Sequence, residues 1–217
     1  HAVAGDGRDD AVDLDAPFTL FAGGASGTVQ AIRTDGDQLE TLVGRYPNTN
    51  ATADLARFRR GNFPDVLGVA YDDAAQRLYL VAGNTIYVVR WTDRDDVLTW
   101  TIDELSDPSN VAAYRDGALA FARFFAPAGL LFDDATRILY VADAGNHVIR
   151  AIDLTTNQVS TVVGTPAVRG YFGDGLAAGE ALLDGPTAIT RGPGGELYVA
   201  DTGNHRIRRV DATDAVE

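Results

Sequence analysis

The chain has no cysteine and no methionine. The first absence removes disulfides, thiolate nucleophiles and Cys-type zinc sites, and leaves the redox compartment undecided. The second reaches to position 1, where His1 stands, and leads to the expectation of a processed, trimmed or partial chain. Serine is sparse, and none of Ser26, Ser106, Ser109 and Ser160 sits in a Gly-x-Ser-x-Gly elbow. No run of about 18 apolar residues exists, so no segment reads as a membrane-spanning helix. Basic residues are outnumbered, 18 against 31 acidic, for a formal charge of −13. A surface this acidic repels phosphate backbones and anionic lipid, so neither nucleic acid nor membrane is an expected partner. The acidity serves solubility, or attracts cations or basic partners.

What is present is a repeat. With 217 residues, 46% of them hydrophobic, the chain is long enough for one domain with a sizeable core. The 23 glycines and 8 prolines suit many short strands and tight turns. Residues 139–153 and 197–211 share Leu-Tyr-Val-Ala-Asp-x-Gly-Asn-His at an offset of 58, and residues 78–89 and 18–32 are weaker copies. In each copy an apolar, β-branched and aromatic run leads into a turn and a second run follows, which is a hairpin. Gly and Asn are expected to supply the positive φ of that turn, and Asp143 and Asp201 to accept hydrogen bonds from its amides. One strand precedes each of the last three hairpins (66–71, 128–132 and 187–190). Another follows the first three (38–44, 97–102 and 158–164). Both faces of these strands carry apolar residues, as in a sheet sandwiched between two neighbours. Four antiparallel strands per unit make a propeller blade.

The runs Asn146-His147-Val148 and Asn204-His205-Arg206 resemble the NHL repeat, and residues 170–189 and 114–129 resemble the inter-blade linkers of secreted bacterial NHL-repeat proteins. The resemblance is specific over residues 113–217 and loose over 1–112. It implies an all-β propeller of about four four-stranded antiparallel blades, at residues 6–44, 45–103, 104–164 and 165–217. Family members usually carry about six blades, so this chain is either a small ring or part of a larger one, completed by another chain. From Asp153 to the strand-ending Gly164 is 11 residues, and the 6 after Asp211 plus residues 1–5 give the same count. Residues 1–5 are therefore expected either to close the last blade as its outer strand or to form the inner strand of a shortened first blade.

Chemistry is harder to find. His147 and His205 occupy the same repeat position, and a site built once per protein seldom repeats in register. Their expected role is a hydrogen bond near the turn. The rival is a metal on the ring axis, with His147, His205, Asp143 and Asp201 as candidate ligands for zinc or calcium. The zinc histidines of the related amidoglycolate lyases are not carried over, because no third blade supplies a match. Asp72-Asp73 and Asp133-Asp134 end equivalent strands and read as turn initiators, with Gly192-Pro193 in their place in the last unit. The acidic segments 6–15 and 35–40 lack the spacing of a calcium loop. Residues 173–179 lack the glycine spacing of a dinucleotide loop. Arg206, Arg208 and Arg209 read as a solvated or salt-bridged strand face.

The expectation is a non-catalytic scaffold without a cofactor, binding a protein or small-molecule ligand, in an extracellular or periplasmic setting. Its candidate contacts are Trp91, Trp100, Tyr46, Tyr114, Tyr171 and Phe172. The alternative is a metal-dependent lyase or hydrolase with its site on the propeller axis.

Overall fold

The computed structural model describes residues 18–24, 28–33, 39–43, 65–94, 97–211 and 216. The expected strand closure by residues 1–5, the segment 6–15 and Tyr46 lie outside them. The described chain is all-β, in four sheets whose named strands pair antiparallel. The first holds β1 (Phe18–Gly24), β2 (Thr28–Arg33) and β3 (Leu39–Val43). The second holds β4 (Val66–Asp72), β5 (Arg77–Ala82), β6 (Thr85–Arg94) and β7 (Val97–Glu104). The third runs β9 (Pro127–Asp133), β10 (Ile138–Asp143), β11 (Val148–Asp153) and β12 (Gln158–Val163). The linker strand β8 (Gly117–Ala118) is added outside β12, so this sheet has five strands rather than the expected four. The fourth holds β13 (Pro186–Arg191), β14 (Leu197–Asp201) and β15 (Arg206–Val210). Val216 bridges back to Val210 and to Asp174, at the place Val159 holds beside Ile152 in the third sheet.

Register explains the burial. In β10 the residues Tyr140 and Ala142 look forward to the fourth sheet, whereas Leu139 and Val141 look back to the second. The two seams follow one plan. Tyr79, Val81, Ile86 and Val88 of the second sheet meet Leu139, Val141 and Ile152 of the third. Tyr140, Ala142, Ile149 and Ala151 of the third meet Leu197, Val199 and Val210 of the fourth. Strands buried on both faces need apolar residues at successive positions, and β5 and β10 have them. A fully buried aliphatic side chain in such a seam contributes about 1.5–3 kcal/mol.

Successive sheets also meet along their inner strands. A Cβ on Gly68 would stand 2.3 Å from the Ala128 carbonyl oxygen, and one on Gly129 would stand 2.6 Å from that of Thr187. At the opposite strand ends, Asp72 and Asp133 initiate their turns by accepting the amides of Ala75 and Ala135, as expected. They also reach one sheet further. Asp72 holds Arg137, and Asp133 holds Arg191 at 2.6 Å. Hydrogen bonds from Arg137 and the Ala75 amide keep the Asp72 carboxyl below the ordinary carboxylate range, although burial works against them.

Gly83 takes the expected positive φ (61°) in the Gly83-Asn84 turn, but the two later Gly-Asn turns differ from expectation. Ala144–Asn146 and Thr202–Asn204 each form a single 3-10 turn, and the left-handed residues are His147 (φ 59°) and His205 (φ 55°). Gly145 is needed for space instead. A Cβ there would lie 2.5 Å from the Phe125 ring, because the incoming linker runs directly over the turn and the Gly145 amide donates to the Phe125 carbonyl at 2.8 Å.

Candidate functional site

In the third and fourth sheets, the end where the inner strand begins gathers three segments: the hairpin turn, the linker from the preceding sheet, and the start of the inner strand. A buried arginine sits among them in each. In the third sheet Arg150 is fully buried and donates to Asp143 (3.1 Å), to Asp116 through Nε (3.0 Å) and Nη2 (2.6 Å), and to the carbonyls of Arg115 and Arg123 (2.6 Å each). The guanidinium lies over the rings of Phe124 (4.4 Å) and Tyr114 (4.9 Å). Asp143 accepts the linker amide of Phe125 (2.8 Å) and the Asn146 side chain (2.8 Å). The expectation that it would accept backbone amides of the turn is corrected: the Phe125 amide of the linker and the Asn146 side chain lie within reach of its carboxylate instead. Burial raises the Asp143 carboxyl, while the hydrogen bonds from Asn146, Phe125 and Arg150 pull it back.

The fourth sheet repeats the arrangement more loosely. Asp201 accepts the amide of Asp184 (2.7 Å) and the Asn204 side chain (2.8 Å), with Arg208 at 3.5 Å. Arg208 pairs with Asp174 at 2.7 Å, but its buried Nε has no partner, whereas Nε of Arg150 reaches Asp116. Of the two expected readings of the arginine run, solvated or salt-bridged, Arg208 takes the second, and it is also buried, because the linker carrying Asp174 folds over it. Arg150, Asp116 and Asp174 were missed as interacting residues by sequence reasoning, and for Arg208 it gave no partner. The signal that could have found them is the common offset of 58 in each pair.

The candidate metal ligands do not converge. Asp143 and Asp201 are enclosed in their separate arginine clusters. Nδ1 of His147 accepts the Gly185 amide of the next sheet at 3.1 Å and lies 3.3 Å from Asp184. Asn84 does the same for the Ala126 amide (2.8 Å) one sheet earlier. His205 is exposed. Among the described residues, no three His, Cys, Asp or Glu side chains are grouped to hold a metal ion.

The candidate contact aromatics divide. Trp91 and Trp100 stand directly opposite each other in the β6–β7 ribbon, which continues past the point where β11 and β12 turn. Tyr114, Tyr171 and Phe172 are exposed on the linkers. Tyr114 donates to Asp116 (2.6 Å) and Tyr171 to Asp174 (2.6 Å). Burial first, then that hydrogen bond, raises the Tyr114 phenol. For Tyr171 the bond to Asp174 comes first. Both stay neutral donors at physiological pH. Sequence reasoning missed two further exposed linker aromatics, Phe121 (59%) and Phe125 (45%). The arrangement is a fixed rim: the nearby arginines and carboxylates hold the linkers down, and aromatic surface faces outward.

Comparison with known proteins places this geometry. The NHL repeat family model matches residues 183–210. NHL repeat-containing protein 2 of Homo sapiens is 30% identical over 151 residues, which are 68% of this chain and 20% of that protein. Among solved structures, auxiliary nutrient binding proteins from Bacteroides thetaiotaomicron and Bacteroides ovatus superpose with TM-scores of 0.61 and 0.62, at 19% and 18% identity. The superpositions cover 85% and 88% of this chain, and 42% and 46% of theirs. The chain thus spans about a fifth of the human relative and under half of each solved chain.

Proposed function

Because this chain belongs with the NHL-repeat β-propeller proteins, we propose that it is a non-catalytic scaffold that binds a protein or small-molecule ligand through its inter-blade linkers. The observation that carries the reading is the contrast at the rim. Phe121 and Phe172, each 59% exposed, project from linkers that Arg150 and Arg208 fix in place. A rigid loop needs little further ordering on binding, and exposed aromatics supply contact area at low entropic cost. The ionisable groups beneath are engaged in ion pairs and serve as support. An extracellular or periplasmic setting goes with this reading.

The test is a binding screen against a random-peptide display library and a panel of mono- and oligosaccharides, followed by affinity measurement on the protein and on the triple variant Phe121→Ser, Tyr171→Ser, Phe172→Ser. Hits should weaken at least about tenfold, a loss of about 1.4 kcal/mol, with the thermal midpoint nearly unchanged. Hits that keep full affinity in the triple variant would remove the linkers as the binding surface.

A further inference from the structure

The boundary between the third and fourth sheets carries an ionisable fastener where the boundary before it carries a neutral one. Ala126 and Gly185 stand at equivalent places, each directly before the proline that opens an inner strand, Pro127 in β9 and Pro186 in β13. The preceding hairpin holds each of them by its amide. Oδ1 of Asn84 accepts from Ala126 at 2.8 Å, and Nδ1 of His147 accepts from Gly185 at 3.1 Å. A side-chain amide oxygen accepts whatever the pH. An imidazole nitrogen accepts only while it carries no proton.

His147 has a second partner within reach. Oδ1 of Asp184 lies 3.3 Å from the same Nδ1, and the ring is 21% exposed, so solvent protons reach it. The other ionisable groups on the surrounding segments are accounted for. Asp143 of its own turn is bound to Arg150 and Asn146. Asp201 of the next hairpin accepts from the Asp184 amide and from Asn204. Arg169, on the segment leading into the linker, is exposed. Among the described residues, Asp184 is the one carboxylate paired with His147.

The ring is anchored, and the peptide it holds has room to move. His147 is left-handed (φ 59°), and its amide donates to the Ala144 carbonyl at 3.1 Å. A Cβ at Gly185, by contrast, would meet nothing within 4 Å.

We propose that His147 is a pH-sensitive latch: when neutral it holds the Gly185 amide, and when protonated it releases that amide and donates Nδ1–H to Asp184. Histidine is the side chain whose charge ordinarily changes between about pH 5 and 8. The added proton comes from solvent, and Nε2 keeps its own. Two donors, Nδ1–H and the Gly185 N–H, cannot point at each other, whereas a charge-assisted bond to a carboxylate is stronger than the neutral bond it replaces. The exchange keeps the ring tied to the linker but frees the peptide at the entry to β13. Asn84 cannot make this exchange, so the entry to β9 stays fixed.

Amide exchange followed by nuclear magnetic resonance from about pH 5 to 8 tests this. Protection factors are compared, so that the intrinsic pH dependence of exchange cancels. Gly185 should lose at least about fivefold in protection as the His147 ring signals titrate, the loss expected for one hydrogen bond, while Ala126 stays unchanged. His147→Asn, which copies the Asn84 fastener, should make Gly185 protection independent of pH. Asp184→Asn removes the acceptor of the protonated state and should move the His147 midpoint down by about half a pH unit or more. Gly185 protection that stays constant while His147 titrates would overturn the latch, and this wild-type measurement needs no variant to fold. A loss that persists in His147→Asn, or an unmoved midpoint in Asp184→Asn, would overturn it as well. None of these outcomes bears on ligand binding at the linkers, so the two readings fail separately.

Discussion

The third and fourth blades make an internal control. Residues 139–147 and 197–205 differ only at Ala144 and Thr202, and both form the same strand, 3-10 turn and left-handed histidine. Their surroundings differ. One hairpin is pressed between two sheets and the other is covered on one face, so Ile149 is buried and Ile207 is not. Local sequence dictates the hairpin. The neighbouring sheet dictates what each residue of it is worth.

The largest expected effect tests the two arginine clusters. Arg150→Met leaves Asp143 buried without its counter-charge and should cost about 3–5 kcal/mol in urea unfolding. Arg208→Met should cost clearly less, since Nε of Arg208 is already unpartnered and its second carboxylate, Asp174, is exposed. Equal losses would show that the two clusters are equivalent despite their geometry.

Next comes the isoleucine pair. Ile149→Ala removes seam contacts and should cost about 2–4 kcal/mol at any protein concentration. Ile207→Ala should cost less than about 0.5 kcal/mol in dilute protein. A large, concentration-independent loss at Ile207 would mean that its own chain buries it.

The inter-blade clamps make the third comparison. The second and third blades hold their successors through Asp72 and Asp133, and the fourth has Gly192 at that position. Asp72→Asn should cost about 1–3 kcal/mol near neutral pH. The Asp72 carboxyl is depressed in the folded protein, so its contribution is complete above the unfolded carboxylate value of about 3.9 and is lost as pH falls through the lower folded value. Stability curves of wild type and variant should therefore run parallel at neutral pH and converge in acid. A gap that persists at low pH would point to packing rather than charge.

Much of the fold was legible because the repeat is written in strand residues. Alternating and doubly apolar runs mark β4, β5, β9 and β10 within a residue or two of their ends. The turn was misread for a physical reason. Gly145 looks like a residue chosen for positive φ, but that freedom is used at His147, and glycine stands at 145 because Phe125 lies on top of it. For the arginine run the sequence offered a solvated or a salt-bridged face without separating its members. Arg208 sits between Arg206 and Arg209 in a basic run, yet only position 208 points under the linker toward Asp174 and Asp201. Composition cannot separate three adjacent arginines, whereas strand alternation combined with the linker path does.

The sequence alone determined that this chain makes antiparallel β-sheet units at a period near 60, because hydrophobic alternation and turn chemistry act over a few residues. It also set which side chains could form seams. The tertiary structure decided that Arg150 is a buried support rather than a surface charge, that His147 fastens one blade to the next, and that two equivalent isoleucines have opposite exposures. Those outcomes depend on which segment is laid against a strand from 25 or more residues away, and no local pattern carries that information.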